Sequence, residues 1–158
     1  MNNSAESIKI TIHETQGCLV VPIEEELSKK AAQQIQKNLL EQVHDKIVKG
    51  VVIDLSGVKV IDSILWEVFS QTAKMVKLLG ASSVISGLSP GVVASIMEMN
   101  LDINDLTTAM NLEDALGLLT QSTEPATDEK NDAESIKDNN AFEEGVEKEA
   151  DDNGALYQ

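Results

Sequence analysis

The chain has 158 residues and a net charge of −15, because 27 acidic residues outnumber 12 basic ones. All 12 basic residues are lysines, so the chain lacks the guanidinium groups that proteins prefer for binding phosphates and base edges. A strongly negative surface also repels nucleic acids and anionic lipids. The composition therefore argues against a protein that binds nucleic acid and against one that attaches to membranes.

The acidic charge is concentrated at the C-terminal end of the sequence. Residues 1–120 contain 15 acidic and 9 basic residues, whereas residues 121–158 contain 12 and 3. The second segment also has few apolar residues, so it cannot bury enough surface to offset the entropy lost on ordering. We predict one folded domain over residues 8–119, preceded by a flexible N-terminus (1–7) and followed by a disordered acidic tail (120–158).

Three further features concern partner docking, the single cysteine and the cellular location. Phe142 and Val146 could form a docking motif in the tail, although a solvated segment is the simpler interpretation. Cys18, the single cysteine, cannot form an internal disulfide and lies in an apolar run that is typical of a buried thiol. The first residues lack the basic start of a secretory signal, and no segment approaches the ~20 apolar residues that span a bilayer. We therefore predict a cytoplasmic protein.

The hydrophobic pattern of the domain alternates between a period of two and a period of 3.6, which is typical of strands alternating with helices. The first predicted strand has isoleucines at every second position, namely Ile8, Ile10 and Ile12. Gln16-Gly17 is a turn signal, and Cys18–Val21 forms the second strand, so the domain is predicted to open with a β-hairpin.

The next two elements are a helix and a central strand. Ser28 is expected to cap the helix, and the connection after it ends at Gly50. The apolar stripe of this helix consists of Ala32, Ile35, Leu39 and Val43. The run Val51–Leu55 is too apolar for an exposed edge, so it predicts a strand in the centre of the sheet.

A longer helix is predicted from Asp62 to Leu79, and Gly80 ends it. The residues expected to face the core are Leu65, Val68, Thr72, Met75, Val76 and Leu79. Trp66 falls on a flanking strip together with Ser70, Ala73 and Lys77. An exposed Trp66 near the start of the helix would be a natural anchor for a binding partner. A tryptophan half-buried against a neighbouring loop is the alternative.

The remaining elements complete an α/β domain. They are a fourth strand at Ala81–Ser86, a helix from Pro90 to Met99 with Asn100 at its C-terminal cap, a short strand near Leu106–Ala109 and a last helix over Leu112–Leu119. Strands and helices that alternate in this way predict a mixed β-sheet, opened by the hairpin, with helices packed on it.

The sequence offers little for catalysis. His13 and His44 lie in a predicted strand and a predicted helix, with no ligand-like spacing to each other or to the cysteine. The segment Gly87–Gly91 lacks the spacing and the lysine of a phosphate-binding loop. Asp54 and Asp62 flank the loop after the central strand, as in a response-regulator pocket, but the first strand lacks the acidic pair that such a pocket needs. We predict no metal site, no cofactor and no enzymatic activity.

The loop after the central strand is the most informative stretch. Residues Asp54–Ile64 leave a buried strand, cross a short loop and start the long helix at Asp62-Ser63. A serine at a helix start can accept the free amide protons of the first turn, so N-capping is the ordinary explanation for Ser63. A hydroxyl that is exposed for a functional reason is the alternative.

This stretch also carries a resemblance. The segments Val51–Ser63, Ser82–Pro90 and Glu98–Leu101 resemble the STAS domain of bacterial anti-sigma-factor antagonists, and within that family they are most similar to the small scaffold proteins of the stressosome. The resemblance implies that a partner serine kinase of the anti-sigma or switch-kinase type phosphorylates Ser63. Ser86 precedes a Gly-x-x-Pro turn and matches a second hydroxyl that is phosphorylated in some sensor-type relatives. A strand-end serine bonded to the loop is the alternative at that position.

The resemblance further implies a regulatory role without catalysis. It predicts that the protein sequesters the kinase and releases it when Ser63 is phosphorylated, with Asp62, Ser63 and Trp66 contacting the partner. Sensor-type STAS paralogues are further expected partners, in a homo- or hetero-oligomer. Two alternatives are a simple two-partner antagonist that forms no large assembly and a STAS protein that carries a small molecule or a lipid.

Overall fold

The computed structural model describes residues 11–121; the predicted flexible N-terminus and almost all of the predicted acidic tail, including Phe142 and Val146, lie outside the described residues. In the described part, strands and helices alternate in the order β1 His13–Thr15, β2 Cys18–Glu24, α1 Lys29–Asp45, β3 Gly50–Gly57, α2 Ser63–Leu78, β4 Ser82–Ser86, α3 Pro90–Glu98, β5 Thr108–Ala109 and α4 Leu112–Gln121. The predicted α/β fold with a mixed sheet is confirmed.

The five strands form one sheet in sequence order, with β3 in the centre. β1 runs antiparallel to β2, and the other neighbouring pairs are parallel. The β1–β2 turn is the predicted one, because Gln16 and Gly17 both have positive φ, 54° and 79°, as a two-residue hairpin turn requires. Ile12 precedes β1, whereas Ile8 and Ile10 lie outside the described residues. The hairpin thus leads into a parallel sheet whose strand ends share one edge.

Each face of the sheet has its own apolar core, because alternate side chains of a strand point to opposite faces. One core joins α1, α2 and α3 to strand residues such as Leu19 and Ile53. The other joins α4 to residues such as Cys18, Val20 and Val52. Full burial of aliphatic side chains of this kind stabilises the fold by ~1.5–3 kcal/mol each. β2, β3 and β4 are therefore held from both sides.

The helix ends follow local chemistry. Ser28 caps α1 as predicted, since its hydroxyl accepts a hydrogen bond from the Ala31 amide at 3.1 Å. Pro90 lies in the first turn of α3, where its missing N–H costs nothing. Gly80 after α2 and Asn100 after α3 have φ of 89° and 50°, the left-handed conformation that ends helices.

The exposure of α2 differs from the prediction. Met75 and Leu79, expected in the core, are 37% and 45% exposed, whereas Trp66 and Ala73, expected on a flanking strip, are buried. α2 packs against α1 on one side and against β4 on another, where the Ser83 hydroxyl donates to the Ala73 carbonyl. Val68, Thr72 and Val76 are buried as predicted, so the buried surface of α2 keeps part of the predicted stripe and extends from it toward Trp66 and Ala73.

Candidate functional site

The candidate site is the loop between β3 and α2, residues 58–62, together with the first turn of α2. It lies at the carboxyl edge of the parallel strands, where open α/β sheets usually place their functional groups. Val58 and Ile61 anchor the loop in the core at 5% and 2% exposure, while Lys59 and Val60 are exposed. The loop is thus fixed from below and presents a short exposed segment just before Ser63.

Asp62, not Ser63, caps α2. Its carboxylate oxygen Oδ1 accepts a hydrogen bond from the Leu65 amide at 2.8 Å. Ser63 is the first residue of the helix, and its side chain is exposed. Within residues 11–121 the Ser63 hydroxyl makes no hydrogen bond to the protein. The capping explanation for Ser63 is therefore wrong, and its hydroxyl is free to meet a partner.

The charges around Ser63 are mostly negative. Asp62 precedes it, and Glu67 lies four residues on, one turn along the same helix face, and is exposed. Lys59 supplies an exposed cation in the loop, but in the described part of the chain it forms no ion pair. The unpaired amides at the start of α2 give that end a partial positive charge. An added anion at Ser63 would therefore meet favourable backbone dipoles and two unfavourable carboxylates.

Ser86, the second predicted phosphorylation site, lies in a different environment from Ser63. It is the last residue of β4 and is completely buried, and its hydroxyl lies 3.5 Å from Asp54 Oδ1, which also accepts the Ser56 amide at 3.0 Å. The backbone turns sharply at Gly87, where φ is 73° and a Cβ would lie 2.8 Å from the Ser56 nitrogen. The Ser86 hydroxyl is therefore not accessible, because β3, β5 and this turn enclose the end of β4.

Trp66 lies in the core beneath the first turn of α2. Its side chain is 3% exposed, and its indole N–H donates to the Asp102 carbonyl at 3.2 Å. It therefore ties the first turn of α2 to the segment after α3. The expectation of an exposed tryptophan that anchors a partner is wrong, because α2 is covered on the side where Trp66 projects.

The groups considered for catalysis do not converge. The carboxylates of Asp54 and Asp62 each accept a hydrogen bond from a backbone amide of their own segment. No group of three His, Cys, Asp or Glu residues that could hold a metal occurs within the described 11–121 segment. Burial raises the pKa of the Cys18 thiol, and the nearby Lys49 charge opposes this only partly. In the same segment, no helix is long and apolar enough to cross a bilayer.

Sequence reasoning missed Ser89 and Gly91 at the start of α3. Ser89 caps α3, and its hydroxyl also donates to the carbonyl oxygens of Val58 and Lys59 in the candidate loop. A serine directly before Pro90 is a helix-start signal, and that signal could have identified the cap. It could not have identified the contact with a loop about thirty residues earlier.

Comparison with known proteins identifies the family. The family model described as the STAS domain matches residues 9–115. The chain belongs to the STAS domain family. A solved structure of a serine-to-glutamate variant of RsbS from Moorella thermoacetica superposes with a TM-score of 0.65 and is 32% identical, covering 72% of this chain and 97% of that one. A chain from a structure of the stressosome is also 32% identical, with a TM-score of 0.64, 73% of this chain and all of that one.

A curated relative is the RsbT co-antagonist protein RsbRD of Bacillus subtilis, 28% identical over 102 residues. The match covers 65% of this chain but 37% of the relative, so this STAS protein spans little more than a third of the curated relative it matches. The predicted resemblance is confirmed, because relatives of this chain include an RsbT co-antagonist protein, RsbS and a chain of the stressosome.

Proposed function

We propose that this STAS protein is a regulatory scaffold that binds a partner serine kinase through the loop at residues 58–62 and releases it when Ser63 is phosphorylated. The observation that supports this best is that Asp62, and not Ser63, caps α2. Asp62 satisfies the helix, which leaves the Ser63 hydroxyl exposed and without a hydrogen bond in the described chain. A hydroxyl with no structural duty at a fixed, accessible position is suited to modification.

The phosphorylation step is a transfer of the γ-phosphoryl group of ATP. The bond between Ser63 Oγ and phosphorus forms, the bond to ADP breaks, and the hydroxyl proton passes to a base on the kinase. The product carries about −1.5 to −2 charge. Because it sits in the first turn of α2, the fold tolerates it.

Release follows from desolvation. A partner docked over the loop would have to bury the phosphate next to Asp62 and Glu67, with Lys59 as the loop's own cation. An incompletely compensated buried charge costs several kcal/mol, and ~2.7 kcal/mol already lowers affinity a hundredfold. Phosphorylation and kinase binding should therefore oppose each other.

The proposal includes assembly in the cytoplasm with sensor-type STAS paralogues. Its support is the 32% identity to RsbS and to a stressosome chain, matches that span nearly all of those chains. Mixing the purified chain with such a paralogue and measuring mass in solution tests this. A large complex is expected, whereas a particle of one chain with one kinase would favour the simple two-partner antagonist.

The binding switch is tested with matched aspartate variants. Ser63→Asp should weaken binding of the kinase recovered on the unmodified chain, because it adds a carboxylate beside Asp62. Ser82→Asp is the control. Ser82 is also an exposed serine, but it is the first residue of β4 and so lies at the sheet edge opposite the candidate site. If Ser63→Asp and Ser82→Asp both bind like the parent, the proposed docking surface is wrong.

A further inference from the structure

The start of α3 is hydrogen-bonded to the loop that leads to Ser63. The Ser89 hydroxyl lies 3.1 Å from the carbonyl oxygen of Val58 and 3.3 Å from that of Lys59, and its single proton is shared between them. The same oxygen accepts the Val92 amide at 3.3 Å as the N-cap of α3. One side chain therefore caps a helix and holds a loop that precedes it by thirty residues.

Backbone shape lets α3 come this close. At Gly91, in the first turn of α3, a Cβ would overlap the carbonyl oxygen of Lys59 and touch Val60. Glycine therefore permits a contact that any other residue would push apart. Val92, the next residue, is completely buried, so α3 cannot move back without losing core packing.

Ser89 provides the side-chain hydrogen bonds that link this loop to another element of the described chain. Among the side-chain hydrogen bonds described for residues 11–121, the two that reach residues 58–62 from another element both come from Ser89. Within the same residues, the Asp62 carboxylate accepts a hydrogen bond from its own helix start. Lys59 and Val60, whose side chains are exposed, are thus held by the buried Val58 and Ile61 on either side and by the Ser89 hydroxyl at the start of α3.

We infer that Ser89 is a positioning residue for the phosphorylation site, holding the loop at residues 58–62 in one conformation so that Ser63 is presented to its kinase already ordered. The inference rests on the function proposed above. A partner that meets an ordered loop does not have to pay the entropy of ordering it. Loss of the Ser89 contact should therefore weaken recognition of the loop more than the chemical step.

Three variants separate the two duties of Ser89. Ser89→Thr keeps both, because a threonine hydroxyl can cap and donate. Ser89→Asp keeps the cap, but an ionised carboxylate has no proton to give to the two carbonyl oxygens. Ser89→Ala loses both. The matched control is Ser28→Asp, the same exchange at the N-cap of α1, where the serine accepts the Ala31 amide.

The first readout is amide hydrogen exchange of the full chain, without any partner. In Ser89→Asp the amide of Val58, which donates to the Leu55 carbonyl at 2.9 Å, should exchange about three- to tenfold faster than in the parent, because the loop loses the hydrogen bond that holds it from α3. The amides of the interior of α2 serve as the internal reference and should not change. Ser89→Thr and Ser28→Asp should match the parent in the loop. Equal loop exchange in Ser89→Asp and Ser28→Asp would overturn the inference.

The second readout is the kinetics of Ser63 phosphorylation by the kinase. Ser89→Asp should raise KM about three- to tenfold and change kcat less than about twofold, while Ser89→Thr restores the parent values. Faster loop exchange with an unchanged KM would overturn the positioning role. If parent Ser63 accepts no phosphate, the proposed function fails, and the exchange comparison alone then decides whether Ser89 holds the loop.

Discussion

Ser63 follows β3 and Ser86 is the last residue of β4, the neighbouring parallel strand, yet the two serine hydroxyls differ in exposure. β3 ends before a loop, so the chain leaves the sheet and Ser63 is exposed at the start of α2. Ser86 is still paired in the ladder, between Asp54 of β3 and Ala109 of β5, and is fully buried. For these two serines, accessibility therefore follows from whether the residue has left the ladder.

Glutamate at the two positions should separate them most strongly. Ser86→Glu places a carboxylate in a buried site beside Asp54, and an uncompensated buried charge costs ~3–5 kcal/mol. Ser63→Glu places one at a helix start, where an acid is neutral or stabilising by ~0.3–1 kcal/mol. Urea unfolding measures both. Similar midpoints for the two variants would show that Ser86 is not enclosed.

Removal of the support beneath Ser63 should be nearly as costly. Trp66→Ala opens a cavity and breaks the bond to the Asp102 carbonyl, which should lower the free energy of unfolding by ~3–5 kcal/mol. Glu67→Ala, one residue on and exposed, should change it by less than ~0.5 kcal/mol. Thermal and urea unfolding compare the pair, and a mild Trp66→Ala variant would contradict its place in the core.

The helix start offers a finer comparison between adjacent residues. Asp62→Ala should lower the free energy of unfolding by ~1 kcal/mol, because it removes the cap on the Leu65 amide. Ser63→Ala should change it by less than ~0.5 kcal/mol, since no hydrogen bond is lost within the described chain. Equal losses in chemical denaturation would mean that Ser63 shares the capping role.

The smallest effect is expected from Ser86→Ala. This change removes one long contact with Asp54, and the buried side chain does not face a partner. Kinase affinity should stay within about threefold of the parent, below the ~1 kcal/mol that marks a central contact. Calorimetry measures it, and a larger loss would promote Ser86 to a principal site.

Most of the fold could be predicted from local signals. The turn at Gln16-Gly17, the cap at Ser28 and the stops at Gly80 and Asn100 are each written in neighbouring residues, so they were recovered. Central placement of β3 followed from its unbroken apolar run. Exposure along α2 was predicted less well, because it depends on what packs beside the helix. Met75 shows this, since helical spacing placed it in the core.

In the candidate site, too, the features set by neighbouring residues could be predicted, whereas those set by residues distant in sequence could not. Asp62 and Ser63 are both good N-cap residues, and only the backbone register of α2 selects between them. The burial of Trp66 depends on Asp102, far along the chain, and the burial of Ser86 depends on two neighbouring strands. Distant contacts of this kind leave no periodic signal in the sequence.

Phosphate mapping on the intact chain tests the central claim most directly. The parent, Ser63→Ala and Ser86→Ala chains are incubated with the partner kinase and ATP, and mass spectrometry locates the phosphate. We expect one phosphate on Ser63 in the parent and in Ser86→Ala, and none in Ser63→Ala. Phosphate on Ser86 with Ser63 unmodified, or full phosphorylation of Ser63→Ala, would contradict the assignment of Ser63 as the switch.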